Sequence, residues 1–322
     1  EPMEDNNRKM YELEFPVPAV SQPGKEGPTM VVALQGYADA GHAVDQSSAY
    51  LLAALDHRPV ASFNNDEFID YRSRRPMTTI DHNSVADVEE INLGIQVVLD
   101  ANDKPFLLLT GPEPDLRWEA FSQAVADLIE RLGVTQTICL YSAPMTVPHT
   151  RPMVISAHGN SLELLEPYFK MDTRFSIPGS ASLQLEYLLN KQGRNVAGYT
   201  AHVPHYLAAS PYPQATLKLL EAVSQAAGLA IPLGALEEDS RRMAAQIAEQ
   251  IQGTAEIQQV VDLLEQQYDE NLEQYHEDHP HMALPGHSAE PMPSGDELGE
   301  EFERFLAALD TPDDSADDED DN

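Results

Sequence analysis

The 322-residue sequence contains a single cysteine, Cys139, and a single tryptophan, Trp118. One cysteine cannot form a disulfide within the chain or supply a cysteine-based metal cluster. Cys139 lies in the apolar run TICLYS, and nothing near it in the sequence would lower its pKa as a catalytic thiol requires. We therefore expect Cys139 to pack inside a buried strand, and Trp118 to belong to the core.

Basic residues are also scarce, with 19 Lys and Arg against 54 Asp and Glu and a net charge of −35. The excess of acidic residues is concentrated at the C-terminal end of the sequence, where residues 262–322 contain 21 acidic residues and one Arg. Such a field repels phosphate backbones and anionic lipid, so we expect no nucleic-acid or membrane partner. No apolar run approaches the ~18 residues of a membrane span and the start lacks a signal-like stretch, which predicts a cytoplasmic protein.

Strands and helices alternate over residues 10–232. The apolar runs TMVVAL, KPFLLLT, TQTICLYS and NVAGYTAH predict buried strands, and amphipathic segments such as DLRWEAFSQAVADLIERLG and PQATLKLLEAVSQAAG predict helices that end at glycines. Parallel strands need crossover helices on both faces of their sheet. The pattern therefore predicts a three-layer αβα sandwich around a mostly parallel sheet.

Beyond residue 232 the pattern changes to helix only. Residues 233–275 carry apolar side chains at spacings of three and four and predict a C-terminal helical appendage. Residues 276–322 predict an acidic linker and tail with one short helix over DELGEEFERFLAALD.

Polar groups follow each of the predicted parallel strands. In an open α/β sheet, ligands bind in the crevice at the carboxyl ends of the strands. Four loops, stiffened by glycine and proline, should therefore meet at one edge and form a crevice there. The candidate residues of this crevice are Gly36, Asp39, His42, Glu113, Asp115, Arg117, His149, Arg151, His202 and His205.

The first loop, GYADAGHA, has the glycine spacing of a phosphate-binding loop. His42 and Ala43 stand where that motif needs Lys and Ser or Thr, so a nucleotide P-loop is excluded. Two interpretations remain: the backbone amides at the following helix start hold an anion, or Asp39 caps that helix itself.

The second loop, GPEPDLRW, offers Glu113 and Asp115 as an acid and base pair. Asp115 is also suitably placed to be the N-cap of the next helix. Arg117 could clamp a carboxylate or phosphate, or pair with Glu113 or Asp115 as structural support.

The third and fourth loops, VPHTRP and HVPHY, carry His149, Arg151, His202 and His205. Pro204 prevents His202 and His205 from sharing one helical face, so the usual argument for helical metal ligands does not apply. A zinc site of three histidines and a carboxylate is an alternative, but we expect structural histidines that hold one loop against the next. We predict neither a metal site nor a cofactor.

The motifs GYADAG, GPEPDLRW, PHTRP, PGSAS and AHVPHYL, in this order, resemble the actinobacterial branch of the proteasome assembly chaperone family. The likeness spans roughly residues 10–275. It implies a three-layer sandwich like that of nucleoside phosphorylases and peptidyl hydrolases, with a mixed sheet. It also implies oligomerisation, and it supplies no catalytic residue to carry over.

The leading hypothesis is a non-enzymatic, oligomeric interaction or assembly-factor-like protein. No serine-hydrolase elbow or dinucleotide-binding fingerprint is present, and the amphipathic segment TAEIQQVVDLLEQQY predicts an apolar seam that contributes to self-association. We expect a homo-oligomer, with a trimer as one candidate, and a protein partner.

The alternative hypothesis is a hydrolase- or phosphorylase-like enzyme for a small anionic or nucleoside-like substrate. Arg117 or Arg151 would bind the anion, and His149, His202 or Glu113 would transfer protons.

Overall fold

The computed structural model describes residues 10–14, 18–20, 26–170 and 174–280. Most of the predicted linker, the predicted short helix and the acidic tail lie outside the described residues. Within these ranges the ten strands are β1 (Tyr11–Leu13), β2 (Thr29–Gln35), β3 (His57–Phe63), β4 (Thr78–Asp81), β5 (Ser84–Val88), β6 (Gly94–Leu99), β7 (Pro105–Pro112), β8 (Gln136–Met145), β9 (Ile155–Gly159) and β10 (Val196–Pro204).

Eight α-helices accompany these strands in the described residues. They are α1 (Ala43–Ala54), α2 (Asn65–Phe68), α3 (Trp118–Arg131), α4 (Leu162–Leu165), α5 (Ala181–Lys191), α6 (Pro213–Ala227), α7 (Gly234–Ile251) and α8 (Ala255–Asp278). A short 3-10 turn at Ala40–His42 precedes α1.

Eight of the strands form one sheet, in the order β1-β3-β6-β7-β2-β8-β10-β9. The four consecutive strands β7, β2, β8 and β10 are parallel. Strands β1, β6 and β9 pair antiparallel with their neighbours, so β3 runs in the same direction as the central four. Five of the eight strands therefore share a direction, which confirms the predicted mixed, mostly parallel sheet.

The alternation along β2 shows how the sheet separates two cores. Val31 and Ala33 pack with α1 and α6 on one face, whereas Met30, Val32 and Leu34 pack with α3 and α5 on the other. A central strand that is apolar at every position can bury both faces only between two helical layers. The three-layer sandwich is confirmed, and Cys139 lies fully buried in β8 as predicted.

The appendage of α7 and α8 packs against the sandwich instead of extending away from it. Ile247 of α7 joins the core cluster of α1 and α6. The Tyr268 hydroxyl of α8 donates to the Pro152 carbonyl at 2.8 Å, and the ring of Tyr275 lies 5.1 Å from that of Phe169. One stripe of α8 is therefore buried. Another stripe of the same helix is exposed, at Ile257, Val260 and Leu263.

Strands β4 and β5 form a separate two-stranded hairpin. Every residue of both strands is exposed. Among the described helices, none combines the length and apolar character needed to cross a membrane.

Candidate functional site

The four predicted loops begin at one edge of the sheet, because β7, β2, β8 and β10 are parallel neighbours. Asp39 even forms a parallel bridge with Ser142 of β8. Along this edge, however, the candidate side chains divide into separate groups. Each group makes its own hydrogen bonds.

Asp39 is bound to the start of α1. Its Oδ1 accepts hydrogen bonds from the backbone N–H of Val44 and from the Ser142 hydroxyl, each at 2.8 Å. Its Oδ2 accepts from the N–H of Asp45 at 3.0 Å. The protein's own carboxylate thus occupies the position where an external anion would bind. The capping interpretation describes this loop, and His42 points into solvent.

Gly41 brings the first loop against the loop that follows β10. Its φ is +63°, and a Cβ at this position would lie 2.8 Å from Cβ of Tyr212. Its N–H donates to the Ala208 carbonyl at 2.7 Å, and its carbonyl accepts from the Tyr212 N–H at 2.9 Å. Glycine is needed here for a close approach of two chain segments.

Glu113 lies on the α3 and α5 side of the edge, next to Gly36. Its Oε1 accepts a 2.6 Å hydrogen bond from the N–H of Ala181, the first residue of α5. Burial raises the pKa of Glu113, while the Ala181 N–H and the charge of Arg74 oppose that rise. Glu113 therefore stabilises a helix start, in the same way as Asp39.

Two expectations for the second loop were wrong. Asp115 does not cap α3: it accepts from the N–H of Asp70 at 2.9 Å and from Nε of Arg74 at 2.9 Å. Arg117 pairs with Glu67 instead of Glu113 or Asp115. The reason is that α3 begins only after a left-handed turn at Arg117, which leaves Asp115 to hold the loop after α2.

The histidines of the third and fourth loops bind hydroxyl groups. His149 Nδ1 lies 2.6 Å from the hydroxyl of Tyr206, and burial lowers the pKa of His149. His202 is buried with its Nε2 2.9 Å from the Ser156 hydroxyl, and burial lowers its pKa to about 4. His205 is exposed. The half-buried ring of His149 and the buried ring of His202 each join loops or strands that are distant in sequence.

Arg151 connects the third loop to α8. Its guanidinium donates two hydrogen bonds to Asp269, at 2.8 and 2.7 Å, and lies 3.3 Å from Glu265. The Thr150 hydroxyl also donates to Glu265. His149, Arg151 and His202 line one cavity, but the guanidinium is already neutralised. No group of three or more His, Cys, Asp or Glu suited to a metal ion occurs in residues 10–14, 18–20, 26–170 and 174–280.

We expect Arg151→Met to loosen α8 from the sandwich, because the substitution removes both bonds to Asp269 and the contact with Glu265. Limited proteolysis should cut α8 of the variant several-fold faster than in the unmodified chain. Arg241→Met is the matched control, since the exposed contacts of Arg241 with Glu238 and with the Glu237 carbonyl both lie within α7. Equal cleavage rates in the two variants would contradict the assigned role of Arg151.

Comparison with known proteins identifies the family to which this chain belongs. Residues 33–251 match the model of the PAC2 family. The chain belongs to the PAC2 family.

Solved structures agree with this membership. A protein of unknown function from Corynebacterium glutamicum is 61% identical over 83% of this chain and 99% of its own, with a TM-score of 0.80. A Mycobacterium tuberculosis protein of unknown function is 48% identical over 81% of this chain and 91% of its own, with a TM-score of 0.77. A proteasome-assembly chaperone homologue from the same organism is 25% identical over 72% of this chain and 99% of its own, with a TM-score of 0.66. None of the curated proteins matches the chain.

This PAC2 protein also contains a polar cluster that the sequence did not reveal. The Tyr141 hydroxyl donates to the buried carboxylate of Glu186, and His158 Nε2 lies 3.0 Å from the same carboxylate. Burial would lower the pKa of His158, but the hydrogen bond to Glu186 and its charge outweigh this effect and raise it. The cluster joins β8, β9 and α5, and it fits only because Gly198 has no side chain there.

One sequence signal could have located this polar cluster. Glu186 occupies a buried position of α5 among Leu185 and Leu189, and a buried carboxylate requires hydrogen-bonding partners. The partners themselves depend on the position of β9 beside β10, which the sequence pattern does not specify.

Proposed function

We propose that this PAC2 protein is a non-enzymatic assembly-factor-like protein, which forms a homo-oligomer and binds a protein partner in the cytoplasm. Its membership of the PAC2 family carries the proposal. The Mycobacterium relative described as a proteasome-assembly chaperone homologue shares the sandwich over almost its entire length. We extend the role in that name to this chain: a subunit that binds proteins during assembly.

The hydrogen bonds and ion pairs of the candidate residues at the loop edge support a protein-binding role over a catalytic one. Asp39 and Glu113 each stabilise a helix start, and Arg117 and Arg151 are both in ion pairs. A catalytic acid, base or anion clamp must be available to a substrate. Here the groups that the enzyme alternative requires hold segments of the chain together.

The β4–β5 hairpin supplies a surface that suits protein contact. Thr78 pairs with Val88 and Ile80 pairs with Val85, so one face of the hairpin carries Ile80, Val85 and Val88. Ile80 is 70% exposed and Val85 is 63% exposed. An isolated two-stranded hairpin is only marginally stable in water, and exposed apolar side chains in a cluster are typical of interaction surfaces. We assign this hairpin face to the self-association of the protein.

We expect Ile80→Asp to shift the protein from oligomer to monomer, because a carboxylate on the apolar hairpin face must be desolvated on association. The matched control is Thr79→Asp, which adds the same charge to the opposite face of the same strand. Sedimentation equilibrium gives the mass of each. Unfolding free energies should change by less than about 0.5 kcal/mol, since both sites are exposed. A monomeric unmodified chain, or equal masses for both variants, would refute this assignment.

Affinity purification of the full chain from its native cell, followed by mass spectrometry, tests the proposed function. We expect proteasome subunits or their associated ATPase to be enriched relative to a control purification with an unrelated protein of similar net charge. A retained small-molecule substrate that the purified protein converts to product would overturn the proposal. So would the absence of any enriched protein.

A further inference from the structure

A cavity of about 180 Å³ lies between the sandwich and the helical appendage. Its walls come from the loop between β8 and β9, the end of β10, the start of α6, and the two helices α7 and α8. The side chains that decide its chemistry are Tyr212, Gln214, Ser240, Ile247 and Tyr268. The cavity is therefore complete only when the appendage is docked on the sandwich.

The cavity contains a buried hydroxyl without a partner. Ser240 is 8% exposed, and its Oγ has no hydrogen-bond partner among the described residues. Tyr212 and Gln214 line the same cavity. A buried polar group left unpaired costs about 1–3 kcal/mol. A molecule that enters the cavity and hydrogen-bonds to Ser240 would therefore be stabilised there.

The charges around the cavity exclude an anion. Arg151 is paired with both Asp269 and Glu265, so this side of the cavity carries one positive and two negative charges. Burial lowers the pKa of both His149 and His202, so both rings are neutral at pH 7. With no unpaired cation at the walls, a carboxylate or phosphate would lose its hydration without compensation.

The shape and the remaining wall residues favour a small flat molecule. Tyr212 and Tyr268 contribute aromatic rings, and Pro148, Pro152 and Ile247 contribute apolar surface. An apolar cavity of about 150 Å³ accepts one benzene molecule. The space here therefore fits a single ring with one polar substituent, of roughly six to ten heavy atoms.

We propose that this cavity binds an uncharged, planar molecule of one-ring size that both donates and accepts hydrogen bonds, such as an aromatic carboxamide or a small heterocycle. Ser240 and Gln214 bond its polar edge, and the tyrosine rings cover its faces. The site is independent of the proposed protein-binding role, because it lies inside the chain and away from the hairpin face.

Benzamide and benzoate form the test pair, since they share size and shape and differ in charge. Calorimetric titration of the full chain at pH 7 should give a Kd of about 1 mM for benzamide. Benzoate should show no binding at 20 mM under matched ionic strength. A denaturation scan should show a higher Tm with benzamide and an unchanged Tm with benzoate.

Two serine variants locate the site. Ser240→Ala should weaken benzamide binding about fivefold by removing one hydrogen bond. Ser122→Ala is the matched control, because Ser122 is 1% exposed, lacks a partner in the described residues and lies on α3 outside the cavity. The proposal fails if benzamide does not bind the folded chain at 20 mM, if benzoate binds equally well, or if both variants weaken binding alike.

Discussion

Replacing Asp39 with alanine is expected to lower the free energy of unfolding by about 3 kcal/mol. The carboxylate accepts three hydrogen bonds, two from backbone N–H groups at the start of α1 and one from Ser142 of β8. Their loss leaves two amides of α1 and a largely buried hydroxyl without partners. Urea denaturation followed by circular dichroism measures the change.

Two further variants separate capping from a general charge effect. Asp39→Asn keeps one side-chain oxygen and should cost less than Asp39→Ala. Asp45→Asn removes a carboxylate from the first turn of α1 but leaves the cap intact, so it should change stability by less than about 0.5 kcal/mol. If Asp39→Ala were as stable as the unmodified protein, the start of α1 would be free to bind an anion, contrary to our interpretation.

Acidification is expected to cost about 3 kcal/mol through His202 alone between pH 6.5 and pH 4. Burial lowers the pKa of His202 in the folded protein to about 4 from an ordinary value of 6.5. Between these values the unfolded chain binds a proton that the folded chain does not. The contribution of His202 is therefore fully present above pH 6.5 and is lost as the pH falls toward 4.

Urea unfolding at pH 7 and pH 4.5 measures this loss in the unmodified chain and in His202→Gln. The variant should lose about 2.5 kcal/mol less between the two pH values. His205→Gln is the control, since His205 is exposed and three residues away. The lowered pKa of His149 also destabilises the folded protein in acid. The contribution of His202 is therefore the difference between the stability loss of the unmodified chain and that of His202→Gln. Identical losses in all three would show that His202 is not buried in its neutral form.

The sandwich could be predicted because its signals are local. TMVVAL and KPFLLLT are too uniformly apolar for strands with one solvent-exposed face, and each is followed by a helix, so helical layers on both faces follow. The common edge of the four loops followed in turn, because parallel neighbours end together. Asp39 as a cap was likewise one of two interpretations that the sequence allowed.

The partners of the edge residues could not be predicted, because they come from segments distant in sequence. Arg117 pairs with Glu67, Arg151 with Asp269, and Glu113 with the amide of Ala181. Each pairing depends on how a loop, helix or appendage is placed against the sheet. The apolar face of the hairpin was hidden for a similar reason: an irregular register between Thr79 and Ile80 places Val85 and Val88 on one side.

Co-purification by two variants tests the central claim, that this PAC2 protein acts by binding other proteins and not through chemistry at its loop edge. Ile80→Asp changes the hairpin face, and His149→Gln changes the loop edge of the sheet. Both variants should fold. Quantitative mass spectrometry should show that His149→Gln retains the proteins enriched by the unmodified chain, whereas Ile80→Asp no longer captures a second, differently tagged copy of the chain. Loss of the enriched proteins with His149→Gln, or capture of the second copy by Ile80→Asp, would contradict these assignments.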